Sequence, residues 1–301
     1  MEYRLKAIRV GAQSPRSRFV PTLLCALTLL LAAPLVGGTA EAATLERIRD
    51  SGSIKLGYRQ DAQPFSFADS AGLPAGYTVA LCQAVAEAVG KALKRDDIKI
   101  DYVPVTAESR FSDLQAGRID LLCGATTMTL ERRRQVDFSL ITFVTGSSVL
   151  YRRDGPANFL DLAGQKVGVR AGTTTEEGLK RALAENGIAA EVIGVADHDD
   201  GLSKLESGDL AAYFADRAIL ATLGRGAKEP ENLVLSDRFF SYEPYALALQ
   251  RGDDDFRLLV DTTLARLYRT QAVGEIYQAS FGNAGMSDLL KATFTLQALP
   301  E

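Results

Sequence analysis

The chain has 301 residues, 47% of them hydrophobic, and a formal net charge of −4. This is the composition of a globular protein large enough for two domains of about 100–150 residues. Because the chain is acidic and has no basic stripe, it is not expected to bind nucleic acid or an anionic membrane surface.

The first 42 residues have the pattern of a secretory signal peptide. Basic residues precede an apolar run, Phe19–Gly38, and Ala40–Ala42 forms a small-x-small cleavage site. An uncleaved membrane anchor is the alternative, because about 20 apolar residues can span a bilayer. Pro21 and Pro34 favour removal. We therefore expect cleavage near Ala42 and a periplasmic mature protein.

Helical and strand patterns alternate through the rest of the chain, which predicts an α/β protein. The predicted strands are Ile54–Tyr58, Ile98–Val103, Ile119–Cys123, Ser147–Tyr151, Lys166–Val169, Glu191–Val195, Leu210–Phe214 and Tyr245–Gln250. The predicted helices are Leu45–Asp50, Tyr77–Leu93, Phe111–Ala116, Phe159–Leu162, Thr175–Asn186, Gly201–Ser207, Asp216–Gly224 and most of Asp253–Gly282.

These elements form two groups of similar size, and the last strand and helices have no partner nearby in sequence. We therefore expect residues 43–146 and 245–301 to form one α/β lobe and residues 147–244 to form a second. Two extended crossings, near Gly146–Tyr151 and near Ser241–Leu247, would join them. Ligands of open α/β sheets bind at the carboxyl ends of the strands, so the two lobes would enclose a binding cleft.

Cys82 and Cys123 are the cysteines that remain outside the leader. In an oxidising compartment an even pair predicts one disulfide, and two buried free thiols are the alternative. The two residues are too far apart in sequence for a CxxC metal pair, and the single histidine, His198, is distant from both. We predict neither a metal site nor a cofactor.

Hydroxyl residues and an arginine follow the strand Ile119–Cys123. Thr126, Thr127 and Thr129 precede Arg132, so this turn supplies N–H and O–H donors together with a two-pronged guanidinium. Such a group suits a carboxylate. The segment has neither a nucleophile with its base nor a cage for a metal ion, which indicates binding rather than catalysis.

The segment after the strand Lys166–Val169 suits an anion as well. Thr173 with Glu176, or Thr174 with Glu177, has the spacing of a capping box. Free N–H groups at the start of a helix attract anions. A helix cap without a ligand is the alternative.

Four charged residues at the ends of predicted elements complete the candidates. Asp216 is expected either to cap the next helix, to pair with Arg217 or to bind an ammonium group. His198 lies in an acidic loop and is a solvated turn residue or part of a site. Arg59 ends a strand and Arg110 begins a helix, which favours a site over an ordinary surface position.

The pattern as a whole resembles the extracytoplasmic amino-acid-binding proteins of bacterial ABC importers, in particular the glutamate/aspartate-binding subgroup. The resemblance covers nearly all of the mature chain. It is carried by the segments GYRQDAQPFSF, TAESRF, LLCGATTMTLERRRQVDFS, GTTTEE, ADHDDGL, KLESGDLAAYFADRAIL and SYEPYALAL.

The resemblance implies a two-lobed periplasmic-binding-protein fold of type II, and it implies roles for the candidates. Arg132 would hold the ligand's α-carboxylate with help from Thr127. Asp216 would hold the α-ammonium, near the backbone carbonyl of Ala125, which stands where the subgroup usually has Ser. The residues that the resemblance assigns to the ligand are Arg59, Arg110, Ala125, Thr127, Arg132, Thr173, Thr174, His198 and Asp216.

Two positions indicate an acidic ligand. Relatives that bind histidine, lysine or arginine have an acidic residue at the position of Arg59 and an aromatic residue at that of Ala62. The reversed charge here favours a ligand whose side chain is a carboxylate, and Arg59, Arg110 and His198 would surround it.

We therefore expect a solute-binding protein rather than an enzyme. It would capture glutamate or aspartate as a monomer and deliver it to an ABC permease in the inner membrane. One alternative is a periplasmic dehydratase of prephenate or arogenate on the same fold, with His198 or Asp216 as the general acid. A sensing module for a signalling partner is another.

Overall fold

A computed structural model describes residues 44–300, so the predicted signal peptide, residues 1–42, lies outside the described residues. Helices and strands alternate along the described chain, as predicted. The strands are β1 (Ser53–Arg59), β2 (Asp61–Ala62), β3 (Ser66–Ala68), β4 (Pro74–Ala75), β5 (Lys99–Val105), β6 (Leu121–Cys123), β7 (Asp137–Thr145), β8 (Ser147–Arg152), β9 (Lys166–Arg170), β10 (Glu191–Val195), β11 (Ala212–Asp216), β12 (Leu233–Leu235) and β13 (Glu243–Leu249).

The helices cover the faces of the sheets. They are α1 (Thr44–Ser51), α2 (Tyr77–Leu93), α3 (Arg110–Gln115), α4 (Thr174–Glu185), α5 (His198–Ser207), α6 (Arg217–Gly226), α7 (Asp254–Arg269), α8 (Val273–Phe281) and α9 (Asp288–Gln297), with short 3-10 turns at Arg132–Arg134, Phe159–Leu162 and Pro230–Asn232. No helix among residues 44–300 combines the length and the apolar character that a membrane crossing requires.

Ten of the strands form two five-stranded sheets, one in each lobe, and β2, β3 and β4 form a small three-stranded sheet. The first lobe has the order β5-β1-β6-β13-β7, in which β1 is parallel to β5 and β6, and the returning strand β13 is antiparallel. The second lobe has the order β10-β9-β11-β8-β12, with β9 parallel to β10 and β11. The predicted two-lobed α/β fold is confirmed.

The two crossings between the lobes lie side by side. Gly146 separates β7 of the first sheet from β8 of the second, and the other crossing leads from β12 to β13. Ser147 bonds the Ser241 hydroxyl through its backbone N–H at 3.0 Å and through its own hydroxyl at 2.8 Å. A Cβ atom at position 146 would lie 2.3 Å from the carbonyl oxygen of Ser241, so only glycine fits there.

The disulfide between Cys82 and Cys123 joins α2 to the end of β6, with 6.1 Å between the Cα atoms. The expectation of a bridge is confirmed, and both residues are fully buried. The strand that leads into the predicted carboxylate-binding turn is therefore covalently attached to the helix that covers it.

Some predicted elements differ from the structure. Strand β7 was missed, because its register shifts against β13 break the two-residue alternation that identifies a strand. The segment Asp253–Gly282 is mostly helical, as predicted, and it forms two helices separated at Gln271, which has a φ of +60°. Helix α5 begins at His198 rather than Gly201, because Asp197 is its N-cap and accepts from the N–H of Asp200 at 2.7 Å.

Candidate functional site

The carboxyl ends of β1, β6, β9 and β11 converge on one small cavity between the two sheets. Its volume is about 20 Å³, close to the space of one water molecule. All nine residues predicted to contact the ligand line it. The residues lining the cavity are Arg59, Arg110, Ala125, Thr127, Arg132, Arg170, Thr173, Thr174, Thr175, His198, Phe214, Ala215, Asp216 and Ile219.

Arg59 is 2% exposed and already has a carboxylate partner. Its Nε and Nη2 donate to the two oxygens of Asp61, at 2.6 and 2.7 Å. Burial acts to raise the pKa of Asp61, but Arg59 opposes this and the pKa lies well below its usual value. Asp61 belongs to a segment that the sequence singled out, yet it was given no role there.

Arg110 is equally buried, at 2% exposure, but it forms no ion pair with a carboxylate of residues 44–300. Its Nη1 donates to the backbone carbonyl of Ala125 at 3.3 Å, and its Nη2 reaches the carbonyl of Gly172, in the other lobe, at 3.5 Å. Its Nε has no acceptor in the described structure. Burial, with Arg132 and Arg59 nearby, holds the pKa of Arg110 well below its usual value.

Arg132 is half-buried and also lacks an ion pair within the described chain. Its Nη1 donates to the carbonyl of Thr127 at 2.9 Å. Burial lowers its pKa, although Glu177, Glu243 and Asp216 oppose the shift from a distance. In both Arg110 and Arg132 the charged form is therefore less stable than in water.

One aromatic ring lies against both of these arginines. The Cζ atoms of Arg110 and Arg132 lie 5.0 and 5.2 Å from the centre of the Phe111 ring. Cation–π contacts of this kind contribute about 0.5–2 kcal/mol, which is less than the several kcal/mol that burying a charged group costs. The ring therefore orients the two guanidinium groups without neutralising them.

Asp216 precedes α6, but its side chain makes no cap bond, and Arg217 pairs with Asp237 instead, at 2.8 Å. The Asp216 carboxylate accepts from the hydroxyls of Thr175, at 3.2 Å, and Tyr245. Asp216 thus occupies the N-cap position of α6 but does not cap the helix through its side chain, and the alternative of a pair with Arg217 is wrong. Burial and the neighbouring Glu243 raise its pKa to about 6.

Glu243 begins β13 and is 2% exposed, and no role was predicted for it. Its Oε2 accepts from Thr127 and Thr174, at 2.5 and 2.8 Å, and its Oε1 accepts from Ser241 at 2.6 Å. It thus fixes hydroxyls from both lobes at the point where the chain returns. Its charge, inside the second predicted crossing, was the signal that could have identified it as a site residue.

The start of α4 resolves the two capping alternatives. Thr173 is the N-cap and accepts from the N–H of Glu176 at 3.2 Å, while the Glu176 carboxylate accepts from the N–H of Gly172 at 2.9 Å. Gly172 has a φ of +72°, as the predicted tight turn requires. Thr174, freed from capping, contacts Thr127 across the lobes at 3.3 Å.

His198 is 3% exposed and is not a solvated loop residue. Its Nδ1 lies 2.7 Å from the Tyr213 hydroxyl, which leaves Nε2 for another partner. Burial lowers its pKa to about 3, so the imidazole is neutral at physiological pH.

Asp216→Asn is expected to raise the melting temperature of the ligand-free protein by a few degrees at pH 7. Ionised Asp216 is disfavoured by burial and by Glu243. The pKa of Asp216 is about 6 in the folded protein, above its ordinary value of 3.8. The folded wild type therefore binds a proton as the pH falls from 7 to 5, and this protonation stabilises it. The advantage of the variant should shrink from pH 7 to pH 5 in thermal melts.

The exposed Asp96 supplies a matched control, because Asp96→Asn removes the same charge without touching the site. It should leave the melting temperature unchanged. A lower melting temperature for Asp216→Asn would mean that the bonds from Tyr245 and Thr175 outweigh the cost of burying the carboxylate.

The chain matches a known protein family over most of its length. Residues 54–283 match the model of the bacterial extracellular solute-binding proteins, family 3. A glutamate/aspartate import solute-binding protein of Salmonella typhimurium is 34% identical over 269 residues, 86% of this chain and 89% of the relative. An L-glutamate/L-aspartate-binding protein of Pseudomonas aeruginosa is 35% identical, over 88% of each chain.

Solved structures agree on the architecture. An ancestral arginine-binding protein bound to glutamine superposes with a TM-score of 0.69 at 26% identity, covering 77% of this chain and 99% of that one. An ancestral amino-acid-binding protein, described as a precursor of cyclohexadienyl dehydratase, superposes with a TM-score of 0.69 at 27% identity, covering 79% and 99%.

Proposed function

The chain belongs to family 3 of the bacterial extracellular solute-binding proteins, and we propose that it captures glutamate or aspartate between its lobes for delivery to an ABC permease. The names of the relatives that are 32–35% identical to it support this ligand. The charges in the cavity support it independently.

The observation that carries the proposal is the set of charges that line the cavity and have no ionic partner. Arg110 and Arg132 have no carboxylate, and Asp216 has no cation in direct contact, among residues 44–300. Glu243 is also without a cation among the described residues, but it does not line the cavity, and its carboxylate accepts from three hydroxyls. Two positive groups and one negative group complement the two carboxylates and one ammonium of a dicarboxylic amino acid. A neutral amino acid such as glutamine would leave one buried guanidinium unpaired, which is costly.

The roles follow from this complementarity. Arg132, with the Thr127 hydroxyl and the N–H groups at the start of α4, would hold the α-carboxylate. Asp216 would bind the α-ammonium. Arg110 would hold the side-chain carboxylate, with the neutral His198 as a further donor. Arg59, which is paired with Asp61, would contribute through its remaining N–H groups.

We further propose that residues 1–42 are removed during export, that the mature protein works in the periplasm and that it acts as a monomer. Size-exclusion chromatography with light scattering would measure the oligomeric state.

Isothermal titration calorimetry against the twenty amino acids tests the ligand. We expect one site per chain and micromolar or tighter binding of L-glutamate, L-aspartate or both. Glutamine should bind at least about tenfold more weakly, since a buried charge would stay unpaired. A clear response to lysine or glutamine with none to the acidic amino acids would overturn the assignment.

A dehydratase is the second candidate, because Asp216, with its pKa raised to about 6, has a value suited to a general acid. Neutral His198 cannot serve as the acid at neutral pH. The family and the names of the relatives favour binding without turnover. Incubation with prephenate, followed by detection of phenylpyruvate, separates the two, and we expect no product.

A further inference from the structure

Arg170, at the end of β9 in the second lobe, contacts two carboxylates of the first lobe. Its Nη1 and Nη2 donate to the two oxygens of Glu108, at 2.5 and 3.1 Å, and its Nε donates to Asp61 at 3.2 Å. Asp61 follows β1, and Glu108 lies between β5 and α3. The Arg170 and Asp61 side chains are 6% and 13% exposed, so this pair is largely shielded from solvent, whereas the Glu108 side chain is 50% exposed.

Every nitrogen of the Arg170 guanidinium has an acceptor within the protein. Besides the two carboxylates, Nη1 reaches the backbone carbonyls of Ala171 and Val195, at 3.2 and 3.5 Å. Arg170 therefore differs from Arg110 and Arg132, which lack carboxylate partners. Although Arg170 lines the same cavity, its donors are already engaged, so a ligand carboxylate would have to compete for them.

Asp61 connects this contact to the interior of the site. The same carboxylate accepts from Arg59 of its own lobe and from Arg170 of the other. Two arginines and two carboxylates thus alternate from Arg59 through Asp61 and Arg170 to Glu108, with no net charge.

We propose that Arg170 is a positioning residue that holds the two lobes together around the ligand by pairing with Glu108 and Asp61. This inference rests on the proposed function. The pairs join different lobes, so they stabilise the closed arrangement relative to an open one. Because an enclosed ligand leaves only after the lobes separate, losing the pairs should speed ligand release more than it slows binding.

Two variants break the contact from opposite sides. Arg170→Met removes the guanidinium and keeps much of the side-chain volume. Glu108→Gln keeps the shape of a side chain that is 50% exposed and does not line the cavity, so folding should be preserved. Arg152→Met is the matched control, because Arg152 belongs to the same lobe and its single ion pair among residues 44–300 is with Asp154, two residues away.

The measurement is the release rate of radiolabelled L-glutamate after a chase with unlabelled ligand. We expect Arg170→Met and Glu108→Gln to release it about 5- to 50-fold faster than the wild type, and Arg152→Met to match the wild type. The preference for glutamate over glutamine should stay unchanged. The double variant should be no faster than Arg170→Met alone, since both changes break the same contact.

Wild-type release rates in both variants would overturn the inference. So would a loss of the preference for glutamate in Arg170→Met, because that would make Arg170 a ligand contact. If the wild type binds no acidic amino acid, the proposed function fails separately. Small-angle X-ray scattering of the ligand-free proteins then decides: we expect a larger radius of gyration for both variants than for the wild type and Arg152→Met, and equal radii contradict the inference.

Discussion

Arg110→Met is expected to weaken L-glutamate binding by at least about 100-fold, close to 3 kcal/mol, while raising the melting temperature of the ligand-free protein. The guanidinium is 2% exposed and has no carboxylate partner in the described chain. Methionine removes this buried charge from the free protein and also removes the proposed partner of the ligand's side-chain carboxylate. Calorimetry and thermal melts measure the two effects.

Arg118→Met serves as the control, because Arg118 lies just beyond α3, is 57% exposed and pairs with Asp113 at the surface. It should change neither quantity. Glutamine binding should fall much less than glutamate binding in Arg110→Met, because glutamine has no side-chain carboxylate. Equal losses for both ligands would contradict a role for Arg110 in recognising the side chain.

Removal of the disulfide is the second change with a large expected effect. The bridge closes a loop with a sequence separation of 41 residues, and the chain-entropy model assigns such a loop about 4 kcal/mol of stability. We expect Cys82→Ala/Cys123→Ala to lower the free energy of unfolding by about 3–4 kcal/mol, measured by urea denaturation.

The same experiment with a reductant provides the control. Reductant should lower the urea midpoint of the wild type and leave the double variant unchanged. An identical wild-type midpoint with and without reductant would show that the bridge does not contribute to the stability of the folded protein.

Much of the candidate site was predictable because its residues come from the ends of strands. Arg59 ends β1, Thr127 and Arg132 follow β6, Thr173 follows β9, and Asp216 ends β11. Each position is local to one strand-to-helix connection, so sequence patterns identify it. Their convergence on one cavity follows from the parallel order of neighbouring strands.

The rest depends on contacts between segments that are distant in sequence. Asp61 and Arg170 are 109 residues apart, and Thr127 and Glu243 are 116 apart. No local pattern encodes which carboxylate neutralises which arginine once the lobes meet. Arg170 ends its strand just as Arg59 does, so the same signal was present, but only the three-dimensional structure separates the paired arginines from the unpaired ones.

The ring of Phe111 has a consequence for ligand length. Arg110 and Arg132 both lie about 5 Å from the centre of this one ring, although they come from separate turns of the chain. The two Cζ atoms therefore lie no more than about 10 Å apart. If Arg110 and Arg132 bind the two carboxylates as proposed, this limit restricts the carboxylate separation that a ligand can have. Aspartate and glutamate differ in that separation by one methylene.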